Sequence, residues 1–86
     1  MQINDFSEKE LDNFYKKIGN NVKIYREKKG ITQMELAHAI GHTSVGHIAK
    51  SELYKYGKHF NLEQLYKICK VLEISLSELF KDIDTI

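Results

Sequence analysis

The sequence predicts an all-α fold of five helices, and two patterns carry that prediction. The first is a recurring helix-start signature. Ser7-Glu8-Lys9-Glu10, Thr32-Gln33-Met34-Glu35 and Ser75-Leu76-Ser77-Glu78 each place a hydroxyl three residues before a glutamate. The hydroxyl can accept from a first-turn amide while the glutamate reaches back, a capping box. Asn61-Leu62-Glu63-Gln64 is an analogous start with an asparagine cap. The second pattern is apolar spacing at three- and four-residue steps. No segment alternates apolar and polar residues as a half-buried strand would, and proline is absent. Eighty-six residues suffice for one domain with one modest core, so 1–86 is read as a single unit.

The first helix is expected from about Glu8 to Lys29. Leu11, Phe14, Ile18, Val22 and Tyr25 build one apolar stripe along it, and Gly30 ends it in the left-handed conformation. Gly19 inside the helix costs about 1 kcal/mol relative to alanine, so a break near 19–20 is one expectation. Thr32 caps a short second helix, Gln33 to Ile40, with Leu36, Ala37 and Ile40 inward and Gly41 closing it. A third helix is expected from about Ser44 to Tyr54, and Gly57 opens a loop reaching Phe60. The fourth, Leu62 to Leu72, buries Leu65, Ile68, Cys69 and Leu72. Ser75 starts a fifth, whose apolar residues are Leu76, Leu79, Phe80 and Ile83.

The net charge of +1 averages unlike parts. Residues 1–12 and 73–86 each carry −3. Residues 13–72 hold eleven lysines and arginines against four glutamates, together with all four histidines. A basic body between acidic ends suits a polyanionic partner. No run of about eighteen apolar residues exists, so no membrane span is expected. The start MQINDFSEKELD lacks the basic and then apolar regions of a secretory signal, which predicts a cytoplasmic protein. Cys69 is the single cysteine, and its apolar-periodic setting reads as a buried, inert thiol. His38 and His42 are four apart, but Gly41 between them should end the helix and spoil a shared ligand face. No metal or other cofactor is expected. With no glycine-rich phosphate loop and no nucleophile elbow, no catalytic residue is assigned and no enzyme is expected.

The informative feature is the pair of short helices joined by Gly41-His42-Thr43. A helix of about eight residues is not stable alone. Two of them, meeting at a glycine turn and braced by a longer first helix, describe a helix-turn-helix whose second member projects from the body. The run Ile18-Gly19, Val22, Tyr25-Arg26, Gly30-Ile31-Thr32-Gln33, Glu35-Leu36-Ala37 and Ile40-Gly41 resembles the Cro/phage-repressor (XRE) family. So do Ile48-Ala49-Lys50-Ser51-Glu52, Asn61-Leu62-Glu63-Gln64-Leu65 with Ile68, and Ile74 to Phe80. The resemblance covers about residues 18–80. It implies a five-helix, lambda-repressor-like DNA-binding domain, here with an extended N-terminal helix. It further implies that the third helix, about 44–54, enters the major groove of operator DNA, and that the protein binds as a dimer. Arg26 matches the family's arginine that pairs with the glutamate ending the recognition helix, here Glu52.

Three features depart from the family pattern. The turn between helices two and three is one residue longer, Gly46 occupies the reading helix, and His59-Phe60 stands where a proline is frequent. If Ile48, Ala49 and Glu52 face the body, the opposite face holds Ser44, His47, Lys50 and Tyr54. Base contacts are therefore expected from Thr43, Ser44, Gly46, His47 and Lys50, which lie nearest the helix start. The family pattern places a phosphate contact at Gln33, strengthened by the helix N-terminus. Lys55, Lys58, His59 and Asn61 surround the next loop and are expected to hold the backbone on the other side.

The expected function is that of a sequence-specific transcriptional repressor or autoregulator whose partner is double-stranded DNA, acting as a homodimer. The alternative is an antitoxin- or adaptor-like interaction module that keeps the fold and binds a partner protein; Gly46 and the altered loop support it.

Overall fold

Every expected helix start is occupied by its cap in the computed structural model, which describes residues 6–41 and 44–83. Among the described residues the helices are α1 (Glu8–Lys29), α2 (Gln33–Ala39), α3 (Val45–Leu53), α4 (Leu62–Leu72) and α5 (Leu76–Leu79), with a 3-10 turn at Lys55–Gly57. The side chains of Ser7, Thr32, Ser44, Asn61 and Ser75 each accept from the amide three residues on. At Thr32, Asn61 and Ser75 the return contact from the third residue is also made. Gly30 closes α1 at φ 77°, its amide and that of Ile31 bonding the last carbonyls of the helix. No strand occurs among the described residues. Among them no helix is long and apolar enough to cross a membrane.

α1 is the spine, and α3, α4 and α5 pack across it while α2 packs on α3 and α4. The core joins Ile18 and Val22 of α1 to Leu36 and Ala37 of α2, Ile48 of α3, and Leu65, Ile68, Cys69 and Leu72 of α4. Ile40 at the end of α2, Phe60 from the loop and Leu79 of α5 complete it. Burial pushes the Cys69 thiol above its ordinary value, with Glu78 adding to the effect. Asn21 fastens the C-terminal end, donating to the carbonyls of Leu79 at 2.7 Å and Lys81 at 3.1 Å.

Two expectations about α1 need correction. The helix runs unbroken through Gly19, because glycine there serves packing rather than bending. A Cβ at this position would sit 2.3 Å from the Ser51 carbonyl oxygen and 2.7 Å from that of Glu52. Only glycine lets α1 and α3 come so close. Nor is the apolar stripe buried along its whole length: Ile18 and Val22 are, but Leu11 and Phe14 remain exposed. Periodicity identifies a shared face, and the body of the chain does not reach far enough to cover the first turns of it.

Candidate nucleic-acid interface

The third helix is fixed from behind by a buried polar brace. Arg26 donates to Glu52 through both Nε (2.7 Å) and Nη2 (3.1 Å), a bidentate pair. Its Nη1 donates to the Ile31 carbonyl at 2.9 Å. Gln33, the first residue of α2, adds its side-chain amide to the same Glu52 carboxylate at 2.9 Å. Three segments, the end of α1, the start of α2 and the end of α3, thus meet at one carboxylate. The hydrogen bond to Glu52 holds the Arg26 guanidinium above its ordinary value, against the opposite pull of burial. Both side chains are almost fully buried. Truncating either would strand a charge at a cost of about 3–5 kcal/mol.

The face of α3 turned inward consists of Ile48, Ser51 and Glu52. Ser51, rather than Ala49, completes it; Ala49 is half-buried. The outward ridge is accordingly Val45, Gly46, Lys50 and Leu53, with Ser44 exposed at its start. Val45 is 42% exposed and Leu53 59%, so lysine stands among small and apolar groups. The expected outward face of Ser44, His47, Lys50 and Tyr54 therefore divides. Ser44 and Lys50 project, whereas His47 turns toward α4. Its Nε2 lies 3.3 Å from Gln64 Oε1 and 3.3 Å from Ser51 Oγ, and its ring meets Phe60 edge-on at 6.1 Å.

Tyr54 turns the other way, onto α1. It ends α3 in the left-handed conformation (φ 53°), where a tyrosine carries a backbone cost that glycine would not. Its ring stacks on Tyr15 at 5.3 Å, and Tyr15 in turn stacks on His59 at 4.1 Å. Burial, followed by the neighbouring Asp12 carboxylate, holds the Tyr54 phenol above its ordinary value. The segment from Tyr54 to His59 is thus clasped by a ring from the N-terminal half of α1. Lys55 and Lys58 are exposed on it, and Lys55 lies 5.3 Å over the Tyr56 ring. Lys50, Lys55 and Lys58 pair with no carboxylate among the described residues. Asn61 is exposed, with its side-chain oxygen engaged as the cap of α4, accepting from Gln64 at 2.8 Å. Glu63 nearby is paired with Lys67 at 3.2 Å.

This arrangement is a helix-turn-helix by its geometry, and a helix-turn-helix family model matches residues 22–79. The chain belongs to the Cro/phage-repressor (XRE) family of helix-turn-helix proteins. No curated protein and no solved structure matches it significantly. The family is one of DNA-binding transcription regulators.

Within this XRE fold the expected site residues fall into three groups. Ser44, Gly46 and Lys50 share the outward side of α3, and together with His47 and Lys58 they line one shallow depression. Lys55, Lys58, His59 and Asn61 follow along the loop and the start of α4. Gln33 lies half-buried behind them with its side chain committed to Glu52, leaving the exposed start of α2 to its backbone amides. Thr43, with His42, lies outside the described residues. Sequence reasoning passed over Val45 and Leu53 as members of the ridge. With Ser44 as the cap and Ser51 rather than Ala49 inward, the helix proper sets Gly46, Lys50 and Leu53 opposite Ile48, Ser51 and Glu52, and leaves Val45 on the flank of its first turn. Tyr15 was also passed over, and nothing local to α1 marks it as a partner of the loop.

Proposed function

We propose that the protein is a sequence-specific repressor or autoregulator that binds double-stranded DNA as a homodimer, with α3 in the major groove. The observation that carries this reading is an outward ridge, Val45, Gly46 and Lys50, on a helix whose inner face is locked by Arg26, Glu52 and Gln33. A helix already held in place can present base-reading groups without further ordering. Lys50 can donate to the O6 and N7 acceptors of guanine, Val45 suits a thymine methyl, and Gly46 lets the backbone come close to base edges. Ser44 stands at the helix start, Thr43 precedes it in sequence, and His47 reaches the groove only from its flank. Gln33 through its backbone, and Lys55, Lys58, His59 and Asn61 through the loop, are the proposed phosphate contacts that fix register.

The test is a binding-site selection on the purified protein. The reading expects enrichment of one motif with inverted symmetry, and binding that weakens steeply with salt as counterions are released. A pool without enrichment would end it. The second reading, an interaction module for a partner protein, draws on one observation: Val45, Leu53 and Tyr56 are exposed in the segment that also carries Lys50, Lys55 and Lys58. An adaptor would be retained on neither heparin nor random duplex DNA.

A further inference from the structure

The N-terminal half of α1 carries an apolar surface that no described part of the chain covers. Phe6 is 72% exposed, Leu11 45% and Phe14 39%. With Glu10, Lys17 and Ile83 they line an open groove. This stretch precedes residue 22, where the family match begins, so the DNA-binding frame does not account for it. Its charges change sign along the helix. Glu8, Glu10 and Asp12, with Lys9 among them, come before Phe14 for a net negative charge, and Lys16 and Lys17 follow it. Glu10, Phe14 and Lys17 are separated by steps of four and three residues, which puts them on one face of the helix.

We infer that this face docks against the same face of a second copy of the chain, with the two α1 helices antiparallel. The inference rests on the homodimer reading above and names its surface. A two-fold axis passing between Asn13 and Phe14 sets Glu10 opposite the partner's Lys17 and Lys17 opposite the partner's Glu10. Phe14 and Leu11 are then enclosed between two ion pairs, each contact being made twice as an isologous interface requires. A parallel arrangement would oppose glutamate to glutamate and lysine to lysine, so the sign change selects the antiparallel one. The apolar groups supply the burial, and the charges supply the register.

The test is sedimentation equilibrium of the whole chain without DNA, from about 1 μM to about 1 mM, a range in which a small interface of this kind associates. A concentration-dependent dimer is expected. Glu10→Lys and Lys17→Glu should each weaken it by about tenfold or more, because each sets like charges face to face. The double variant Glu10→Lys/Lys17→Glu should recover most of the loss. Far-UV circular dichroism establishes that each variant is folded. As a second measurement, Asn13→Cys stands beside the axis and should give an inter-chain disulfide on mild oxidation, with Cys69 buried and out of reach. A chain that stays monomeric at every concentration overturns both the surface and the homodimer reading. A dimer indifferent to both charge reversals, a double variant no better than the singles, or an Asn13→Cys chain that does not cross-link overturns the surface alone.

Discussion

Gly19→Ala sets two effects of opposite sign against each other, and the structure decides which wins. In an isolated helix the substitution stabilises by about 1 kcal/mol. Here the added Cβ meets the Ser51 carbonyl oxygen at 2.3 Å and the Glu52 carbonyl carbon at 2.9 Å. Those are backbone atoms and cannot rotate aside, so α1 and α3 must separate by about 1 Å to restore ordinary contact. Overpacking of this kind costs up to about 3 kcal/mol. The net expectation is a loss of about 2 kcal/mol, or about 8–16 °C in the melting midpoint of a domain this size. Thermal and urea unfolding followed by circular dichroism measure it. Gly46→Ala is the control: its nearest neighbour is Ser44 Oγ at 3.9 Å, so alanine there should leave stability unchanged or raise it by up to about 1 kcal/mol. A Gly19→Ala protein as stable as the parent would refute the argument from close helix approach.

Glu52→Ala should destabilise by about 3–5 kcal/mol, because Arg26 is left buried with its charge uncompensated; chemical unfolding reads this directly, and a loss below about 1 kcal/mol would show the brace to be water-accessible. Lys50→Ala should relax sequence preference and weaken specific binding by about 1–3 kcal/mol. Lys58→Ala should instead weaken all duplexes alike and flatten the salt dependence, as a titration series at several salt concentrations will show. The Tyr54 phenol sits above its unfolded value of about 10. The unfolded chain therefore loses that proton first, and stability present below about pH 10 is lost as pH rises through the folded value. Tyr54→Phe should make the alkaline limb of the stability curve shallower, and an unchanged limb would show that the phenol does not contribute.

The fold was legible because its signals are local. Each helix announces itself by a cap and a period, and Thr32, Asn61 and Ser75 make in space the contacts their spacing implies. What sequence reasoning missed depends on segments far away in the chain. His47 looks outward when α3 is considered alone; Gln64, seventeen residues later, draws it toward α4. Tyr54 follows Tyr15, thirty-nine residues earlier, onto α1. Gly19 reads as a weak point by propensity and proves to be a clearance, because the atoms that require it belong to another helix. Leu11 and Phe14 share the stripe of Ile18, yet periodicity carries no information on where the body ends.

The ring column of Tyr54, Tyr15 and His59 makes the length of α1 matter to a loop it does not adjoin in sequence. A chain trimmed to residues 22–79 would keep the whole recognition helix and its buried arginine. It would lose Tyr15, the aromatic plane between the other two. If the loop contacts DNA as proposed, the backbone from Tyr54 to Lys58 would then have to be quieted on binding, at about 1–2 kcal/mol for each residue newly ordered. In the intact chain that freedom is removed before any duplex arrives. The extended helix therefore works as a splint for the segment carrying Lys55 and Lys58, the lysines proposed to face phosphate, and a shorter α1 would leave them with the same charges on a looser hinge.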